Sequence, residues 1–194
     1  MTRRRLLKIA LVSPALLAWR RLTFAQGLDK FTIPTVACKD EKPTPAVADD
    51  MSFRPGAPQR TKLADAGTPG QKLVLTGTVK GVVCGPIKGA RVDFWQPDAR
   101  GVYDATGFRL RGYQMTDANG QYRLETIVPA ASAGRARHLG AKIDAAGKPG
   151  LLTALFFPND PANAHDPAFH AELVIQTTSD SGGVTATFDF VLNA

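Results

Sequence analysis

With 194 residues, 44% of them apolar and 21% charged, the chain has room for one globular domain and a tail, and its composition excludes collagen, coiled coil and global disorder. Eighteen Gly and 14 Pro suit a fold with many turns, such as an all-β sandwich. The formal charge of +7 does not mark a nucleic-acid binder: six of the 24 basic residues lie in the first 25 positions, where there is no acid, and the other 18 face 17 acids.

The chain begins with Arg3-Arg4-Arg5-Leu6-Leu7-Lys8, followed by the apolar runs Ile9–Val12 and Ala15–Ala18. Ser13-Pro14 interrupts these runs, which are too short to cross a bilayer as a helix. Residues 1–25 therefore read as a signal peptide, and the paired arginines resemble a twin-arginine export signal. Thr23 and Ala25 are small residues at −3 and −1, placing cleavage before Gln26. The alternative is a basic amphipathic helix lying on a membrane. The export reading predicts a periplasmic or extracellular protein, with no membrane contact after the leader is removed. Twin-arginine export carries folded proteins, often with a cofactor loaded, which directs attention to a metal or cofactor site. In an oxidising compartment Cys38 and Cys84 either pair or both remain free.

Residues 26–70 are rich in Pro, Asp, Lys, Ala and Gly without sustained periodicity, and read as an extended or loosely ordered arm. From there to residue 194 the text is short strands and turns. Leu73–Val79 is strand-like. Ala90, Val92 and Phe94 alternate with Arg91, Asp93 and Trp95, the two-residue period of a half-buried strand. Asp117-Ala118-Asn119-Gly120 is a turn with a hairpin cue, and Tyr122, Leu124 and Thr126 alternate beyond it. Leu152–Phe157 is an apolar strand. Val184, Ala186, Phe188, Phe190 and Leu192 form a last alternating series. No segment after the leader has a helical period. The pattern predicts an all-β, two-sheet sandwich over residues 71–194 with an irregular N-terminal arm.

Four stretches carry a resemblance to a known family. They are Gly89-Ala90-Arg91-Val92-Asp93-Phe94-Trp95-Gln96-Pro97-Asp98 with Gly101-Val102-Tyr103-Asp104; Arg111–Asp117 with Gly120-Gln121-Tyr122; Glu125-Thr126-Ile127-Val128-Pro129; and Leu152-Thr153 through Asp160. In order and spacing they are similar to the intradiol ring-cleavage dioxygenases, including catechol and protocatechuate dioxygenases and exported relatives. The resemblance implies a single Fe(3+) held by two tyrosines and two histidines, and a small aromatic diol as substrate, opened between its hydroxyl-bearing carbons. Hard phenolate oxygens suit Fe(III), and the ion acts there as Lewis acid and template.

Carried over by position, the resemblance matches Tyr103 to the first ligand tyrosine, His138 to the first ligand histidine and Arg135 to the family's active-site arginine. Ser132 stands where the second tyrosine is expected, Gly140 where the second histidine is expected, and Ala154 where a glutamine is usual. The matched positions imply that Tyr103 and His138 face a common cavity, with Arg135 at its rim. Without the family pattern, Tyr103 reads as a loop tyrosine packed on the sandwich end and His138 as a surface histidine. His165 and His170, in a loop, are the other histidines that could substitute as ligands. Three readings follow: a dioxygenase with a reduced or rebuilt ferric site, a non-catalytic relative binding an aromatic or carbohydrate ligand, and a partner-binding exported domain.

Overall fold

The structure is a computed structural model that describes residues 41–47, 52–83, 85–132 and 134–193. The leader (1–25), the start of the arm, Cys38 and Cys84 lie outside the described residues. Among the described residues, nine strands follow in chain order: β1 Lys72–Gly81, β2 Arg91–Trp95, β3 Arg111–Met115, β4 Gln121–Ile127, β5 His138–Asp144, β6 Leu151–Phe156, β7 Gln176–Asp180, β8 Gly183–Thr187 and β9 Phe190–Leu192. One sheet runs β4-β1-β8-β7, with β9 also on β1; the other runs β3-β2-β5-β6. The only helical turns among the described residues are short 3-10 pieces at Pro161–His165 and Ala171–Leu173. The chain is thus the expected all-β, two-sheet sandwich.

The period-two residues meet between the sheets. Leu73 and Leu75 of β1, Val92 and Phe94 of β2, Leu139 and Ile143 of β5 and Phe190 of β9 are buried in one cluster. Phe94, Tyr122 and Phe190 pack ring to ring, with centroids 5.5 to 6.4 Å apart. Each such ring contributes about 1.5–3 kcal/mol by leaving water.

Two sequence expectations are modified. The Asn119-Gly120 turn does not close a hairpin: β3 and β4 lie in different sheets. The turn itself forms, with Gly120 at φ +71° and the Asp117 carboxylate accepting the Asn119 and Gln121 N–H groups. The strands part because Gln114 at the end of β3 bonds the Arg123 backbone with its side chain, accepting at 3.0 Å and donating at 2.8 Å, in place of a ladder. The terminal alternating series is also split, into β8 and β9. There the Phe188 carbonyl turns inward to accept the Tyr122 hydroxyl at 2.7 Å. The Asp189 carboxylate takes over the Thr78 N–H at 2.8 Å.

Open sheet edges invite foreign strands, and residues 41–71 cover three of them. Arg60 donates to the Tyr113 carbonyl and Tyr113 to the Pro58 carbonyl beside β3. Leu63 and Thr61 exchange bonds with Glu125 of β4, and Val47 donates to Leu152 of β6. Phe53 sets its ring against Trp95, centroids 5.1 Å apart. The alternation in β2 holds, but its outward face is not wet: Asp93 and Trp95 are each only 2% exposed. The site described next lies on this covered outer face.

Candidate functional site

Tyr103 lies in the loop between β2 and β3, on a knot tied by Asp98. The Asp98 carboxylate accepts the Arg100 and Val102 N–H groups at 2.9 and 3.0 Å. Its backbone carbonyl receives Ala130 N–H at 3.1 Å, which joins the knot to the stretch before β5. Gly101 adopts φ +81°, and a Cβ there would lie 2.1 Å from the Ala131 carbonyl oxygen. Only glycine lets the two loops touch. The Tyr103 phenol is thereby delivered to the start of β5.

His138 opens β5 and is 2% exposed, so it is not a surface histidine. Strand alternation sends Leu139, Ala141 and Ile143 to the core and places His138 and Gly140 on the outer face. The imidazole Nδ1 lies 2.8 Å from the Ala136 carbonyl and Nε2 lies 3.0 Å from Tyr103 Oη. A carbonyl can only accept, so Nδ1 carries a proton. In the neutral ring the Nε2 lone pair then receives the phenol O–H. Chain positions 35 residues apart are brought together here.

The other positions are placed as follows. Arg135 turns to Asp166, with Nε 2.9 Å from both carboxylate oxygens. Its Nη2 is buried without an acceptor, and no described hydrogen bond takes it to Tyr103 or His138. Ser132 is half-buried, and its carbonyl accepts the Arg135 N–H at 2.8 Å. Gly140 is in register with Trp95 of β2 and Ala154 of β6. His165 and His170 are exposed, and no described contact joins either to Tyr103 or His138.

Asp166 and Asp98 carry the local architecture, and the sequence reading singled out neither. Asp166 accepts Ala136 N–H and Ala168 N–H as well as Arg135. Burial pushes its pKa up. The bonds from Ala168, Arg135 and Ala136 together outweigh burial and hold the carboxyl below the ordinary range. Asp98 follows the same balance, with Val102 and Arg100 N–H opposing burial. A carboxyl whose folded pKa is depressed stabilises the fold above its unfolded value near about 4, and that stability is lost as pH falls through the folded value. Thermal unfolding at stepped pH should therefore show Tm level near neutrality and falling below about pH 4. Asp98→Asn should lower Tm at neutral pH and flatten the acid limb. An acid limb unchanged in that variant would remove Asp98 from the account.

A family model described as Dioxygenase (Dioxygenase_C) matches residues 50–194, well over half of the chain. The chain belongs to the intradiol ring-cleavage dioxygenase family. It is 31% identical over 153 residues to the protocatechuate 3,4-dioxygenase beta chain of Burkholderia cepacia, covering 63% of this chain and 65% of that one. It is 35% identical over 101 residues to a catechol 1,2-dioxygenase of Acinetobacter baylyi, covering 46% of this chain and 32% of the relative. The chain thus spans less than two thirds of the length of these relatives. Among solved structures it is similar to the dioxygenase domain of a dioxygenase carbohydrate-binding protein fusion from Streptomyces sp. SirexAA-E. That match has 44% identity and a TM-score of 0.76, covering 79% of this chain and 99% of that one. It also resembles a hydroxyquinol 1,2-dioxygenase of Pseudomonas putida DLL-E4, at 25% identity and a TM-score of 0.71, covering 80% of this chain and 68% of that chain.

Intradiol dioxygenases use non-heme Fe(III), and the residues at this site do not fit that ion. A hard ferric ion needs several anionic or imidazole donors around it. Here one phenol and one imidazole converge, already joined by a proton at 3.0 Å. Ser132 offers a hydroxyl in place of a phenolate and Gly140 has no side chain. At the positions that the resemblance matched to ligands, the described residues bring together one phenol and one imidazole.

Proposed function

We propose that this chain is a non-catalytic relative of the intradiol dioxygenases that binds a catechol-type aromatic without opening its ring. The observation that carries the reading is the Tyr103 Oη–His138 Nε2 hydrogen bond at 3.0 Å, with Ser132 and Gly140 at the two positions that would complete a metal site. The residues act by binding alone. With its proton given to His138 Nε2, Tyr103 Oη keeps lone pairs that accept an acidic hydroxyl of the diol. Trp95, in register with Gly140, lies on the same outer face of the sheet. The leader-like residues 1–25 support action outside the cytoplasm.

The test uses the purified chain loaded with ferric salt and desalted. It should retain far less than one iron per chain and show no visible phenolate-to-iron band. Catechol should quench the Trp95 emission without oxygen uptake. Tyr103→Phe should weaken catechol binding about tenfold, the worth of one hydrogen bond of roughly 1.4 kcal/mol. Stoichiometric iron with oxygen consumption and a ring-opened product would overturn the proposal, and so would the absence of any catechol binding.

A further inference from the structure

His138 presents a lone pair to Tyr103 only because its proton sits on the other nitrogen. Imidazole side chains in water favour the Nε2–H form, so the opposite tautomer has to be held by the protein. The group that holds it is the Ala136 carbonyl, 2.8 Å from Nδ1. Ala136 is in turn fixed from its other side: its N–H donates to Asp166 Oδ2 at 2.8 Å. The Asp166 side chain has no exposure, and Arg135 Nε and Ala168 N–H clamp the same carboxylate. A continuous line of contacts runs from Asp166 through Ala136 to His138 Nδ1, and from Nε2 to Tyr103 Oη.

We infer that Asp166 is the positioning residue of the site: through Ala136 it holds His138 as the Nδ1–H tautomer, so that the Nε2 lone pair faces Tyr103. Supports of this kind, one bond removed from a working imidazole, orient the ring and set its tautomer. The anionic carboxylate also gives a stronger bond to the Ala136 N–H than a neutral acceptor would. The inference goes beyond aromatic binding and holds whether or not the site takes a diol, because the tautomer exists without a ligand.

The measurement is the long-range 15N–1H spectrum of the full chain labelled at histidine, at neutral pH and without ligand. Three histidines are present, and exposed His165 and His170 serve as internal references for the Nε2–H form. His138 should appear as Nδ1–H in the wild type. Asp166→Asn should move its major form to Nε2–H. Asp160→Asn is the control: Asp160 accepts the Arg137 N–H at 3.1 Å, next to His138, but no described bond joins it to Ala136. That variant should leave the tautomer unchanged, whereas a merely structural role for Asp166 would make the two variants behave alike. If Asp166→Asn is recovered unfolded, Asp166→Ser, whose hydroxyl is too short to reach both Ala136 and Ala168, is read in the same way. A wild-type His138 in the Nε2–H form would overturn the inference by itself. A folded Asp166 variant that keeps Nδ1–H would overturn it as well.

Discussion

Ser132→Tyr combined with Gly140→His should turn the chain into a protein that holds ferric iron and is visibly coloured. Gly140 lies inside β5 with no positive φ, so an L-residue needs no change of backbone there. Its cross-strand neighbours are Ala154 on β6 and Trp95 on β2. It points to the same face as His138, two residues earlier on the strand. Ser132 is in the loop touched by Gly101, next to the turn that leads to Tyr103. Four donors would then surround one point in place of two. Losing a mere outer support costs metal sites about 10–100-fold in affinity. Two added direct ligands should therefore raise ferric affinity by more than about a hundredfold. Either single substitution should give a smaller gain. Metal analysis after desalting and a visible spectrum decide the matter. A folded double variant that stays colourless and iron-free would show that the loops do not bring these positions together.

Gly77→Ala should be the most damaging single methyl addition in the sandwich. A Cβ at Gly77 would lie 1.7 Å from the Phe188 carbonyl oxygen and 2.9 Å from the Tyr122 hydroxyl. Those two atoms are hydrogen-bonded to each other at the point where β8 gives way to β9. The carbonyl belongs to the backbone and cannot rotate away like a side chain. Relief requires shifting the last strand against β1 and losing the Tyr122 bond. Overpacking alone costs about 1–3 kcal/mol, and a buried hydrogen bond adds about 1. A loss of roughly 3 kcal/mol or more in urea unfolding is the expected result. Gly85→Ala, where nothing lies within 4 Å, should stay within about 0.5 kcal/mol of wild type. Equal effects at both glycines would remove the close-approach argument.

Period two marked β2, β4 and the split series 184–192, while β1 was marked as strand-like and β6 as a continuous apolar run. β7 was not marked, because its residues Gln176–Asp180 are polar on both faces and mostly exposed. β3 and most of β5 were missed by periodicity for the opposite reason. Arg111 at the start of β3 and His138 and Gly140 at the start of β5 face outward and are nevertheless buried. Alternation records contrast between two faces, and a sheet covered on both sides loses that contrast.

For this protein, residue order alone determined the fold class, the basic leader-like start, the glycine-bearing turns and, through the family resemblance, which positions carry Tyr103, His138, Ser132 and Gly140. These are local properties or one-to-one correspondences, and they need no knowledge of what lies opposite. Tertiary structure decided the rest: that the Asn119-Gly120 turn changes sheets, that Phe188 breaks the last strand, that Arg135 is spent on Asp166 and that Tyr103 reaches His138. Each depends on a partner more than 30 positions away or on a side chain displacing a ladder bond. Such pairings are selected by which groups the packed sheets leave unsatisfied, and unsatisfied groups exist only once the chain has folded.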